Sequence, residues 1–232
     1  LLGQGLAIIG LLLFSLTPIL FNNRIYFGLV FSTIVFSGGG GLMEMLLSPI
    51  VDSIPTEVKS TAMSVLHSFY AWGQLSVIVF TTLFLFILGK EQWPFIVAGW
   101  LVIPVVNFGL FVKAPLADPK HEQDRMKVID YLKTPFFIVA VFAILLGGAT
   151  EVSMAQWASA FMEKGLTLPK ISGDLLGVAT FALFLAVGRT VYGKFGSKID
   201  VNKVMVVGSF VAIFCYLVVA LSDRKSTRLN SS

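Results

Sequence analysis

Cysteine, histidine and charge are all scarce in this sequence. Its 232 residues include one cysteine, two histidines and only 13% charged side chains. The single cysteine, Cys215, cannot form an internal disulfide and has no partner for a metal site. The sequence also has no histidine-rich metal cluster, no nucleophile constellation and no phosphate-binding loop. These absences argue against an enzyme and predict neither a cofactor nor a metal.

Apolar residues are abundant instead. They make up 56% of the chain, and the mean hydropathy is +0.86, far above that of an ordinary soluble domain. The apolar runs reach about 20 residues, the length that a helix needs to cross the membrane, and they lack the two-residue alternation of a barrel. The sequence therefore predicts an all-α integral membrane protein.

Seven membrane segments can be placed between short polar connectors. A longer connector, 114–134, is predicted to join an N-terminal bundle, 1–113, to a C-terminal bundle, 135–222. Residues 223–232 break the pattern and resemble translated vector sequence, so we set them aside as a non-native tail. The chain opens inside a helix without an initiating Met, which indicates a fragment. The predicted segments are 1–21, 26–51, 58–88, 94–113, 135–161, 172–194 and 201–221.

Positive charges are divided unequally between the two sides of these segments. Outside the tail, ten Lys and Arg residues lie on one side and four on the other. Cytoplasmic loops hold the excess, so 114–134 is predicted to be cytoplasmic. Its Met126, Ile129 and Leu132 fit either a short helix on the inner membrane face or a solvated linker. Three of the positive charges lie in the tail, so the net charge of +4 predicts no nucleic-acid partner.

The stretch 38–55 places one carboxylate, Glu44, inside an apolar run. An ionised side chain there costs roughly 3 kcal/mol, and desolvation favours the neutral form of a carboxyl group. We therefore predict that Glu44 couples transport to protons; the alternative is a structural glutamate paired with a buried donor. Gly40 and Gly41 are predicted to allow close approach of a neighbouring helix, and Pro49 is predicted to kink the helix.

Polar side chains recur in the third segment at steps of four and three, which places them on one face of a helix. In a membrane such a face is directed to a cavity or to other helices. We predict that it joins a proton path or binds a hydroxylated ligand, although His67 would also fit a simple hydrogen bond between helices. The residues are Ser60, Ser64, His67, Ala71 and Gln74, bordered by Tyr70.

The fifth segment repeats the start of the Glu44 motif, since 147–151 reads GGATE where 40–44 reads GGLME. Three-helix repeats would place Glu151 and Glu44 on equivalent helices. Gln156 and Trp157 follow, and an aromatic ring beside amide and carboxyl groups is typical of a sugar site. Trp157 also fits an interfacial belt residue. At the end of the sixth segment, Gly188, Arg189 and Gly193 are predicted to serve gating or packing, or plain membrane anchoring.

Four motifs resemble the fucose permease branch of the major facilitator superfamily, the fucose, galactose and glucose proton symporters. The resemblance covers residues 1–221 and implies a bundle fragment of seven helices, the third to ninth of twelve. The motifs are GGLMEMLLSPIVDSIP at 40–55, LHSFYAWGQ at 66–74, the region from Glu151 to Trp157, and VGRTVYGKFGSKID at 187–200.

The resemblance implies alternating access between two six-helix bundles in a monomer of the bacterial inner membrane. Glu44 matches the family's carboxylate on the fourth helix, and His67 and Tyr70 occupy positions where the family carries amides. The leading hypothesis is proton-coupled uptake of a sugar or related polyhydroxylated solute, with protons and the bilayer as the other partners. The alternatives are an efflux carrier of amphipathic compounds, dependent on phenylalanines, and a non-transporting membrane sensor, dependent on 114–134.

Overall fold

The computed structural model describes residues 1–54, 59–114 and 128–229. Helices are the only regular elements in these ranges. Two 3-10 turns, Lys90–Gln92 and Gly196–Lys198, and a π-helical stretch, Asp174–Ala179, complete the set. The α-helices are α1 Leu2–Leu20, α2 Ile25–Ser53, α3 Lys59–Leu88, α4 Trp93–Trp100, α5 Val102–Lys113, α6 Val128–Leu132, α7 Pro135–Gly165, α8 Lys170–Gly173, α9 Thr180–Phe195 and α10 Val201–Leu229.

Seven helical spans among the described residues are long and apolar enough to cross a membrane. This number confirms the predicted all-α membrane class. Two of the spans are composite. The 3-10 turn Lys90–Gln92, α4 and α5 form one, and α8, the π-helical stretch and α9 form another. The spans are Leu2–Leu20, Ile25–Ser53, Thr61–Leu88, Lys90–Lys113, Pro135–Gly165, Lys170–Phe195 and Asn202–Leu221.

Most helix boundaries lie within a few residues of the predicted ones, although α7 continues past the predicted end at 161 to Gly165. The last helix, α10, continues to Leu229, beyond the predicted end at 221. The short helix α6 contains Ile129 and Leu132, whereas Met126 and most of the predicted connector lie outside the described residues. Gly89 ends α3 with φ +94°, a left-handed conformation that favours glycine.

Contacts divide the chain into two units. One comprises 1–57 and 76–149, and the other comprises 58–75 and 150–232. The helix α3 therefore contributes its first half to the second unit and its second half to the first. The division into bundles 1–113 and 135–222 follows sequence order instead and stays a prediction.

In the first unit α1 and α2 approach each other closely at small residues. A Cβ atom built on Gly10 would lie 2.4 Å from the Phe36 backbone nitrogen, and one on Gly39 would lie 2.5 Å from the Ala7 nitrogen. Only glycine leaves room for backbones this close, as is common between membrane helices. The other face of α1 meets α4, where the Ser15 hydroxyl donates to the Pro94 carbonyl oxygen over 2.8 Å.

In the second unit small residues again bring helices together. A Cβ atom on Gly177 would lie 3.0 Å from the Ala158 carbonyl carbon. The π-helical stretch and α7 therefore approach each other closely at this glycine. A Cβ atom on Gly193 of α9 would lie 2.8 Å from Cγ2 of Val65 in α3. The unit thus brings α3, α7 and α9 to one another, and these three helices carry the polar contacts described next.

Candidate functional site

An ion pair joins α7 to α9. Nη2 of Arg189 lies 3.2 Å from Oε2 and 3.5 Å from Oε1 of Glu151. The side chains are only 26% and 35% exposed, and both lie within apolar spans. An isolated charge in such a span is costly. The pairing therefore compensates two charges that would each be unfavourable alone.

The same arginine also connects to α3. Nη1 of Arg189 donates to the main-chain oxygen of His67 over 3.2 Å. In the other direction, the Ser64 hydroxyl donates to the main-chain oxygen of Arg189 over 2.8 Å. One turn further along α3, Nε1 of Trp72 donates to the Thr190 hydroxyl over 3.0 Å. A guanidinium can hold two acceptors at once because its donors form a planar fork.

The residues of the predicted polar face lie on the helix α3, and we call Ser64, His67, Ala71 and Gln74 the α3 polar face; the side chain of Ser60 lies outside the described part of the structure. Ala71 is fully buried, and the other three are half-buried. Oε1 of Gln74 is buried without a hydrogen-bond partner in the described part of the chain. Tyr70, which borders this face, is 60% exposed. One buried acceptor on this face therefore has no donor among the described residues, which is unfavourable unless a water or a ligand supplies one.

The predicted grouping of Glu151 with Gln156 and Trp157 is not found in the structure. Successive residues of a helix are about 100° apart, so Gln156 lies about 140° and Trp157 about 240° around α7 from Glu151. Both Gln156 and Trp157 are exposed. Glu151 instead shares its face with Ala158, which is buried. A common sugar site of these three residues stays a prediction.

Glu44 differs from Glu151 in its surroundings. It is exposed on α2 and makes no hydrogen bond or ion pair within the ranges that the structure describes. It lies about 140° around the helix from Gly39, the residue that contacts α1. The helix itself continues past Pro49 to Ser53. Glu44 is thus placed away from the tight α1 contact.

The glycines divide into those with close neighbours and those without. A Cβ atom on Gly193 would lie close to Val65, and on α2 the close contact is made by Gly39. Cβ atoms on Gly40, Gly41 and Gly188 would meet no heavy atom of the described chain within 4 Å. A gating role for these three residues stays a prediction.

A second polar cluster was not anticipated from the sequence. The Ser159 hydroxyl lies 2.5 Å from Oδ1 of Asp174, and Nζ of Lys170 donates to both groups over 2.8 Å. The cluster joins α7 to α8 at the start of the π-helical stretch. The four-residue spacing of Lys170 and Asp174 was a usable signal for their pairing. The hydrogen bonds of Ser159 in this cluster could not be predicted from the sequence, because they depend on which helix packs beside α7.

Because Glu151 compensates Arg189, we expect Glu151→Gln to destabilise the protein. The change leaves the guanidinium without its charged partner, at a cost of about 2 kcal/mol, below the roughly 3–5 kcal/mol of a fully buried pair because this one is partly exposed. Thermal unfolding in detergent should show a lower midpoint. Glu44→Gln is the matched control and should not lower it, since it removes an uncompensated charge. Equal midpoints for the Glu151 variant and the unmodified protein would contradict the assignment.

Among the described residues no group of three His, Cys, Asp or Glu side chains could hold a metal ion.

Comparisons with known proteins agree with this architecture. The sequence model of the Major Facilitator Superfamily matches residues 3–225. Comparison with curated proteins and with solved structures found no match. The match covers nearly the whole chain, and with its seven apolar helices this chain belongs to the major facilitator superfamily of multi-pass membrane transporters.

Proposed function

We propose that this chain is part of a secondary active transporter that takes up a sugar or related polyhydroxylated solute together with protons. Membership of the superfamily supports transport by alternating access. The motifs at 40–55, 66–74 and 187–200, which resemble those of the fucose permease branch, support the solute class and the coupling ion. The protein would act as a monomer in a bacterial inner membrane, with 114–134 on the cytoplasmic side.

The observation that carries the proposal is the contrast between two carboxylates in apolar spans. Glu151 has its charge compensated by Arg189, and a proton added there would leave the guanidinium without its partner. Glu44 has no partner in the described chain, so a proton is the available means of neutralising it in a low-dielectric setting. Glu44 is therefore the group suited to load and release a proton during transport.

The solute would bind at the α3 polar face. The unsatisfied Oε1 of Gln74 needs a donor, and each sugar hydroxyl group can supply one. His67 lies on the same face, because seven residues correspond to almost two full turns of helix. The exposed ring of Tyr70 offers an apolar surface of the kind on which sugars stack. Gln156 and Trp157 would contribute only if they meet the solute from another direction.

Uptake by vesicles that contain the complete protein tests this function. Labelled fucose, galactose and glucose are supplied with and without an imposed pH gradient, acidic outside. We expect accumulation of at least one sugar by about tenfold per pH unit, because one co-transported proton supplies about 1.4 kcal/mol per unit. A protonophore and vesicles lacking the protein are the controls. Accumulation of no sugar, or accumulation indifferent to the gradient, would overturn the proposal.

A further inference from the structure

We propose that Arg189 is a positioning residue for the α3 polar face, acting through the main-chain oxygen of His67. The inference rests on the proposed function, because it concerns how tightly the solute is held. Arg189 itself would not touch the solute. Its part is to fix the position of α3 against α9 in the conformation that binds the solute, with Glu151 orienting the guanidinium from α7.

The contacts of Arg189 fall on two successive turns of α3. Its side chain donates to the His67 carbonyl oxygen, and its own carbonyl oxygen accepts from Ser64. A bond to a main-chain oxygen restrains the helix rather than one side-chain rotamer. Gln74 lies seven residues beyond His67 on the same face, so a shift of the helix at His67 displaces the Gln74 acceptor as well.

Shape alone does not provide this restraint. The Gly193 contact with Val65 lets the two helices approach, but smooth apolar surfaces of small residues permit sliding and rotation. Directional hydrogen bonds fix the register, and Arg189 supplies one bond to α3 and a charge-assisted pair to α7. Charge compensation would require only a cation at this position. The planar fork of arginine presents two separate nitrogen donors in one fixed geometry, Nη1 to α3 and Nη2 to α7, which a single ammonium group does not.

The first experiment separates positioning from charge compensation by measuring KM and kcat for the sugars that the complete protein transports. The variants are Arg189→Gln, Arg189→Lys and the exchanged pair Glu151→Arg with Arg189→Glu. We expect Arg189→Gln to raise KM about tenfold with little change in kcat or in stimulation by the pH gradient. Lys194→Gln removes a cation from the same helix and is the matched control.

The exchanged pair is the decisive variant. It restores an ion pair between α7 and α9, but a glutamate at position 189 cannot donate to the His67 carbonyl oxygen. Positioning therefore predicts that KM stays raised in the exchanged pair. Recovery of KM there would show that Arg189 only balances charge and would overturn the inference, as would an unchanged KM in Arg189→Gln. If Arg189→Gln does not fold, Arg189→Lys, whose single ammonium nitrogen lacks the separate Nη1 and Nη2 donors of the planar fork, should raise KM to an intermediate value.

A second experiment needs no solute. In a Cys215→Ser background, Val65→Cys with Gly193→Cys places two thiols across the α3 contact, since a Cβ atom at 193 lies 3.7 Å from the Val65 Cα, within reach of a disulfide. We expect oxidation to link them, and Arg189→Gln and the exchanged pair to slow the linkage about fivefold by freeing α3. Lys194→Gln should not. Equal rates would overturn the inference even if sugars are transported, whereas slower linkage without any sugar transport would retain the positioning and refute only the proposed solute.

Discussion

Replacing Glu44 by glutamine should abolish proton-driven accumulation of the solute and leave exchange of solute across the membrane. The amide has nearly the size of the carboxyl group but cannot take up or release a proton. Net uptake against a gradient should therefore fall from about tenfold accumulation per pH unit to equilibration. Counterflow of labelled against unlabelled sugar needs no proton movement, so it should continue. Uptake and counterflow by the same vesicles measure both quantities.

A carboxylate at the start of the fourth span provides the control for the Glu44 variant. Glu91 lies in the 3-10 turn between α3 and α4, and Glu91→Gln should accumulate solute normally. Accumulation at the unmodified level by the Glu44 variant would contradict the role of this residue. Loss of both accumulation and counterflow would place Glu44 in solute binding rather than in proton coupling.

The second large effect concerns folding. Gly39→Val should prevent most of the protein from reaching a stable folded state. Its Cβ atom would lie 2.5 Å from the Ala7 nitrogen and the Gly3 oxygen, which are backbone atoms that no rotamer change can move. The helices α1 and α2 would have to separate, and overpacking of this kind costs about 3 kcal/mol or more. The fraction of protein that stays monodisperse after mild heating in detergent measures the effect.

Gly38→Val is the matched control for this change. A Cβ atom at Gly38 would meet no heavy atom of the described residues within 4 Å, and the helix-propensity cost of valine is the same at both positions. The Gly38 variant should therefore keep most of the stability of the unmodified protein. Equal losses in the two variants would mean that propensity, not the contact with α1, determines the result.

The membrane spans could be predicted because they depend on local composition. A run of apolar residues of sufficient length must form its backbone hydrogen bonds internally in lipid, so length and hydropathy fix the helix. The α3 polar face could be predicted for a similar reason, since its three- and four-residue steps follow from helix geometry. Both predictions needed information from one helix only.

Contacts between helices could not be predicted in the same way. The four glycines from Gly38 to Gly41 look alike in sequence, yet only Gly39 faces α1 closely. Glu151 and Arg189 were each identified as candidates, but their pairing depends on α7 lying beside α9. A helix rotates by about 100° per residue and so places Gln156 and Trp157 on other faces of α7 than Glu151, and a site shared by the three residues stays a prediction.

The π-helical stretch Asp174–Ala179 holds more residues per turn than the helix that follows it. If that stretch became ordinary α-helix, the register of the helix beyond it would shift by one residue. Every residue beyond the stretch would then rotate by about 100° about the helix axis. Arg189 lies beyond it and Asp174 at its start. A small change in winding at the Ser159 cluster would thus turn the guanidinium away from Glu151 and His67, while the apolar span kept nearly the same length.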